Sequence, residues 1–341
     1  MSKAENLRIF SIEAADTVSI CVIGDIMMHS PQFRFDAESF FEYVAEPMKK
    51  ADVALANMEF TLAGEPYSGY PQFSAPEKCA EKFCSALGLD IMLTANNHIL
   101  DRDCDGLERT LDIYDSIQEK LGTVFIGSAR TVDEYNKNYP LIIKRCGITF
   151  AFVNVTYGTN AAGSKLWPRT FTINRKEIAE AICSAKEQGA DIIVALPHWG
   201  NEYELSHSKA QREIAEFFIA KGVDAVIGSH PHVIQDIEYI CDKPVFYSLG
   251  NAVSNMRREY TQLGMMVTLK IRRNLLNGQL RLLRPEIRYT WCALAGEISK
   301  GHCVVFADEW AAKPEKWLKR ASYIKMMETL KKVKDYIQPV N

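Results

Sequence analysis

The sequence predicts an α/β fold. Short apolar runs alternate with helix-like stretches along most of the chain, the pattern of strands and the helices that cover them. Five of the apolar runs end directly on Asp, Glu, Asn or His. In α/β sheets ligand sites form outside the carboxyl ends of strands. The 341 residues can bury about three quarters of the unfolded surface, so neither disulfide nor metal is needed merely to fold.

Val18–Ile23 and Val53–Ala56 read as strands, with a helix-like stretch over Ala37–Lys50 between them. A Pro/Gly/Tyr loop, Gly64–Pro76, leads to a helix-like run from Glu77 to Leu87. Asp90–Leu93 is the third strand and Gly106–Leu121 a helix. Val124–Ile126, Leu141–Lys144 and Ile148–Val155 form a strand group, followed by the polar loop Tyr157–Arg169. The helix Arg175–Gln188 leads to the strand Ile192–Leu196, and the helix Lys209–Lys221 to the strand Asp224–Ile227. Beyond that, Val245–Ser248, Met265–Ile271 and Gln279–Tyr289 are β-like, and the Lys-rich tail from Glu309 has helical period. This predicts one domain over residues 1–290 and a mostly helical appendage over 291–341 packed on it.

Composition excludes several classes of function. Forty basic against 43 acidic side chains leave a net charge of −3, without the basic excess of a nucleic-acid binder. No apolar run approaches the ~18 residues of a membrane-spanning helix, and Met1 to Asp16 lacks the apolar core of a signal peptide. The nine cysteines contain no C-x-x-C pair and read as small hydrophobes, Cys21 and Cys146 within or beside strand runs. A cytoplasmic location is expected for the chain as given; removal of an N-terminal anchor would make it extracytoplasmic.

The strand ends carry the chemistry. They deliver Gly24-Asp25 with His29 four residues on, Asn57-Met58-Glu59, Asn96-Asn97-His98 with Asp101, His198-Trp199-Gly200, and Gly228-Ser229-His230-Pro231-His232. Taken singly, Gly-Asp is a turn, Asn-Asn-His a helix start and His198 a packed imidazole. Taken together they are a ligand set. Pro231 fixes the backbone between two imidazoles so that both can face one point. Two divalent ions about 3.5–4 Å apart need a bridging carboxylate, neutral imidazoles and an amide oxygen. Asp25 and Glu59 offer anionic oxygens, Asn97 a neutral one, and His198, His230 and His232 imidazoles. A mixed N/O set without thiolate favours Mn, Zn or Fe.

The ordered set Gly-Asp, Asn-x-Glu, Asn-His, His-Trp-Gly and Gly-x-His-x-His resembles the calcineurin-like metallophosphoesterase superfamily. Within it, the chain is most similar to the CapA (poly-γ-glutamate capsule synthesis) family over residues 18–255. GDIMMH (24–29), ANMEFTL (56–62), LGLDIMLTANNHILD (87–101), HWGNEY (198–203), AVIGSHPHVIQDIEY (225–239) and FYSLGNAVSN (246–255) carry the resemblance. It implies a four-layer α/β/β/α sandwich with two mixed β-sheets and a dimetal centre at the strand ends. Asp25 and His232 would serve the first metal, Glu59 would bridge, and Asn97, His198 and His230 would serve the second. His98 would face the substrate and protonate the leaving group. Glu202 and Tyr203 belong to the family's His-Trp-Gly-x-Glu-Tyr signature and would shape the substrate pocket. Asn160, in Tyr157-Gly158-Thr159-Asn160, and Asn251 would contact substrate.

Three departures from the superfamily pattern stand out. His29 lies four residues after Asp25 rather than two, which leaves it a candidate for metal or substrate. Glu replaces Asp at the bridging position. Position 99 is Ile where the superfamily has an acid, so Asp101 is expected to orient His98.

The function expected is a hydrolase or transferase in capsule or poly-γ-glutamate biosynthesis. It would act on a γ-glutamyl polymer or cell-envelope precursor through a metal-bound hydroxide, with two divalent ions as cofactors. The alternatives are a general phosphoesterase on a small phosphate ester and a non-catalytic member of a polymer-synthesis complex. Arg102, Arg257 and Arg258 are candidates to hold carboxylates, and the loops Gly64–Pro76 and Tyr157–Arg169 to close over the site.

Overall fold

The computed structural model describes residues 17–337. The expectation for Met1 to Asp16 lies outside them. Two mixed sheets form the centre. In spatial order the first runs Cys303–Phe306, Glu286–Ala293, Leu263–Arg273, Thr17–Ile26, Val53–Met58, Ile91–Leu93 and Val124–Ile126, with Asn251–Val253 added beside Thr17–Ile26 and Leu280–Leu282 beside Leu263–Arg273. The second runs Ile237–Ile240, Lys243–Phe246, Ala225–Ile227, Ile192–His198, Ile148–Thr156 and Leu141–Arg145.

Alternation along the strands builds the layers. Val18, Ile20 and Val22 point into a core shared with Phe150, Phe152 and Val194 of the second sheet. Cys21 and Ile23 point the other way, against Phe40, Phe41, Phe83, Leu107 and Tyr114. Those residues come from the helices Lys78–Leu87 and Asp103–Leu121 and the turns before them. On the far side, Ile178, Ile182, Ala215 and Phe218 of the helices Arg175–Glu187 and Lys209–Ala220 join the first core. The result is the expected α/β/β/α sandwich. No helix among the described residues is long and apolar enough to cross a membrane.

The structure corrects several boundaries. The stretch Ala37–Lys50 is a 3-10 turn, Ala37–Phe41, and a helix, Ala45–Lys50, separated at Val44 with φ −126°. Phe40, Phe41, Val44 and Met48 are all fully buried, so the apolar spacing is helical although the backbone is broken. The sheet does not end at residue 290. The strand Glu286–Ala293 runs through that boundary, and Cys303–Phe306 pairs with it as the sheet edge. The helical appendage therefore begins at Ala307, and Met326, Leu330 and Val333 of the helix Arg320–Tyr336 pack into the shared core. Cys146 is exposed in a hairpin turn with φ +49°, unlike Cys21, which is fully buried.

His302 gives the scaffold a pH dependence of its own. It is 1% exposed, packs against Phe35 and Phe40, and meets Asn255 Oδ1 through Nε2 at 3.1 Å. Burial lowers its pKa from 6.5 to about 4. The unfolded chain thus takes up a proton between those pH values while the folded chain does not. The stability this histidine contributes is complete above 6.5 and is lost as pH falls toward 4, about 3 kcal/mol in all. Urea unfolding of His302→Gln is expected to show a correspondingly shallower loss across that window; equal pH slopes would contradict the assignment.

Candidate metal centre

The carboxyl ends of the parallel strands in both sheets converge on one cluster. Asp25 ends the first strand, where Gly24 permits close passage of the Gly250 segment: a Cβ on Gly24 would lie 1.9 Å from Gly250 O. That approach sets Asp25 opposite Asn251 in parallel register. Asp25 is fully buried; its Oδ1 accepts from Asn57 Nδ2 at 2.7 Å and its Oδ2 from the backbone N–H of His230 at 3.1 Å.

Glu59 follows the second strand and is also fully buried. Among the described residues neither of its carboxylate oxygens has a hydrogen-bond partner. Asp25, Glu59 and His232 present ligand atoms within 4.8 Å of one another, and so do Glu59, His198 and His230. Glu59 is common to both groups. Its Oε1 lies 3.6 Å from His198 Nε2 and 3.8 Å from His232 Nε2. Asn97 Oδ1 sits 2.8 Å from His198 Nε2.

The far sides of the His198 and His232 rings are held. His198 Nδ1 meets Ser229 Oγ at 2.8 Å, and His232 Nδ1 meets Asn251 Oδ1 at 3.0 Å. These contacts turn both Nε2 atoms toward Glu59, as outer partners do in metal sites. His230 Nδ1 is buried without a partner. The backbone is left-handed at both His230 (φ +100°) and His232 (φ +58°), which costs of order 1–3 kcal/mol each for a residue other than glycine. One imidazole joins each of the two groups that share Glu59, and the two imidazoles also come within 4.8 Å of each other in a further group, as the His-Pro-His spacing predicts.

Burial makes the cluster resist charge. It raises the pKa of Asp25, and it raises Glu59 well above the usual carboxylate range with help from the charges of Asp25 and Glu202. It lowers His198 well below 6.5, brings His230 to about 3, and lowers His232 against the pull of Asp25. The imidazoles are therefore neutral at physiological pH, the form that ligates metals. A cation among them reverses the cost of ionising the carboxyls.

Beside the cluster lies a cavity of about 380 Å³, lined by Tyr70, Gln72, His98, Asp101, Asn160 and Glu202 among others. Both loops expected to flank the site contribute to it. His98 Nδ1 lies 2.7 Å from Asp101 Oδ2, the contact expected from the substitution at position 99. Asp101 Oδ2 also accepts from the Phe73 backbone N–H at 2.8 Å, and Phe73 packs edge-on against the His98 ring. Asn160 Nδ2 lies 3.3 and 3.4 Å from the two ring nitrogens. Tyr203 stands near His232, with its ring centroid 6.1 Å away and the Arg258 guanidinium 4.0 Å over its face.

Two expected residues are engaged elsewhere. His29 joins none of the ligand groups among the described residues; its Nδ1 accepts from the Asn255 backbone N–H at 3.3 Å and its ring packs on Phe73. Asn251 supports His232 rather than lining the cavity. Of the arginines, Arg102 ties down the flanking loop through Pro66 O and Ser68 Oγ. The sequence reading gave no role to Asn57, which links Asp25 to His198, or to Asn96, which holds the Met58 carbonyl and the His98 N–H. Their position within two residues of a ligand candidate, Glu59 or Asn97, was the available signal.

A family model described as "Bacterial capsule synthesis protein PGA_cap" matches residues 19–256. The chain is 26% identical over 277 residues to the capsule biosynthesis protein CapA of Bacillus anthracis, covering 76% of this chain and 65% of that one. It is 27% identical over 268 residues to the PGA biosynthesis protein CapA of Bacillus subtilis (strain 168), covering 76% and 69%. The chain thus spans about two thirds of the length of these relatives. A solved structure of the calcineurin-like phosphoesterase YfkN from Bacillus subtilis aligns at 15% identity over 94% of this chain and 99% of that one, with a TM-score of 0.48.

Proposed function

The chain belongs to the bacterial capsule synthesis protein PGA_cap family, and from that premise we propose that it is a dimetal hydrolase or transferase acting on a γ-glutamyl polymer or a related cell-envelope precursor. One observation carries the metal half of this reading. Glu59 is fully buried, its two oxygens are unpaired, and it is shared by two separate groups of ligand atoms. A buried carboxylate left this way is costly unless cations compensate it. The donor set fits two such ions: Asp25, Glu59 and His232 for one, and Glu59, Asn97, His198 and His230 for the other.

Bound there, divalent ions supply Lewis acidity toward a scissile acyl or phosphoryl group and make water nucleophilic near neutral pH. The rest falls to the chain. His98, at the cavity wall, would donate a proton to the leaving group from Nε2 in its doubly protonated form, with the Asp101 carboxylate accepting from Nδ1–H and orienting the ring. Tyr70, Gln72 and Asn160 of the two flanking loops line the cavity beside His98, where substrate would enter.

The experiment is a screen of γ-glutamyl amides against phosphoesters, including bis-p-nitrophenyl phosphate with manganese, on one metal-loaded preparation. The higher kcat/KM is expected for a γ-glutamyl amide. Turnover of phosphoesters alone would replace the proposal with a general phosphoesterase. Turnover of neither, with metal bound, would make the chain a binding component.

A further inference from the structure

Glu202 stands apart from the ligands assigned above because it is exposed, and its place in the signature suggests only pocket shape. Its carboxylate nevertheless forms a third group of ligand atoms with His230 and His232, again within 4.8 Å of one another. The three groups interlock: Glu59 approaches the histidines from the buried side and Glu202 from the solvent side.

The backbone holds Glu202 in place. It lies between Gly200 at φ +98° and Tyr203 at φ +69°, two left-handed residues that turn the chain back sharply. The Tyr203 N–H donates to the Pro231 carbonyl at 2.8 Å, the peptide between the two histidines. The turn is thus tied to the segment whose side chains Glu202 faces, and this contact sits among left-handed residues of both segments. His230, only 3% exposed and with Nδ1 unpartnered, belongs to the same group. Two carboxylates facing one another across neutral imidazoles repel, and a cation between them turns repulsion into attraction.

We propose that Glu202 is a metal ligand, binding the dimetal centre from its solvent-exposed face beside His230 and His232. This rests on the two-ion reading above and adds a donor to it. It also changes the view of the cavity, whose wall Glu202 forms together with His98: an anionic substrate entering there meets an exposed carboxylate ligand that it can displace. With Asp25, Glu59 and Glu202 ionised, three negative charges balance two divalent cations to within one, so an incoming anion need not be drawn by a large local excess.

The test measures Mn²⁺ binding to the wild type and Glu202→Gln by equilibrium dialysis, together with the visible absorption of the Co²⁺-loaded proteins. Loss of an outer partner typically weakens a metal site about 10–100-fold, so loss of a ligand is expected to weaken one Mn²⁺ site by at least about tenfold. The Co²⁺ bands are expected to change with coordination number. The effect should persist at high salt, where the field of a merely nearby exposed charge is screened. An unchanged isotherm and Co²⁺ spectrum, or a weakening that salt abolishes, would overturn the assignment. Failure of the wild type to bind metal would instead refute the two-ion reading. Thermal unfolding of the metal-free variant checks the fold, which an exposed Glu to Gln change should leave intact.

Discussion

Glu59→Gln is expected to reduce bound metal from two ions per chain to one or none and to lower turnover at least about a thousandfold, since metal ions contribute several kcal/mol to the transition state. The reason is geometric. Asp25 and His232 on one side and His198 and His230 on the other lose the one buried carboxylate common to both groups, and Glu202 is grouped only with His230 and His232. The same substitution should act in the opposite direction on the metal-free protein. Burial holds the Glu59 pKa well above 4.5, so the folded chain binds a proton there that the unfolded chain has released. Stability therefore falls as pH rises above 4.5 toward the folded value. The amide does not ionise, so metal-free Glu59→Gln should melt higher than the metal-free wild type at mildly alkaline pH and lose the advantage near pH 4.5. Metal analysis and calorimetry on the same two proteins check both signs; a variant that keeps both ions would contradict the bridging role.

His98→Gln is expected to lower kcat by about 10²–10⁴ while leaving the metal content unchanged. His98 appears in none of the ligand groups, and its Nδ1 is occupied by Asp101 at 2.7 Å, so its free edge serves the cavity rather than the ions. Asp101→Asn should fall between the wild type and His98→Gln, because the ring remains but the carboxylate that orients and supports its protonated form is gone. Steady-state kinetics paired with metal analysis separates the cases. A loss of metal parallel to the loss of rate would place His98 in the ion shell and remove its role as proton donor.

Much of this architecture was legible in the sequence, and the exceptions have physical causes. The parallel strands announced themselves as apolar runs because both their faces are buried, as at Val53–Met58, where every residue is buried. Short partners such as Asn251–Val253 and Ile237–Ile240 went unread, since three or four residues carry too little alternation to stand out. The strand Cys303–Phe306 was assigned to the helical tail because its place is set by pairing with Glu286–Ala293, a contact that local pattern does not encode. Within the site, the residues that terminate strands were visible, as their polar side chains interrupt apolar runs. The direction of each imidazole was not. Pro231 indicated a rigid spacing, but the left-handed backbone at His230 and His232, which lets the two rings meet while each also joins a different Glu59 group, is a tertiary constraint. His29 shows the converse: proximity in sequence to Asp25 suggested a ligand, and the fold gives its Nδ1 to the Asn255 backbone.

The central claim, that Glu59 is the shared carboxylate of a two-ion centre, is tested most directly by elemental analysis of the protein purified without chelator, beside His230→Ala. The account predicts about two divalent ions per chain of the Mn, Zn or Fe class, with the variant retaining clearly less. Fewer than about half an ion per chain after loading with Mn²⁺, unchanged by His230→Ala, would contradict it.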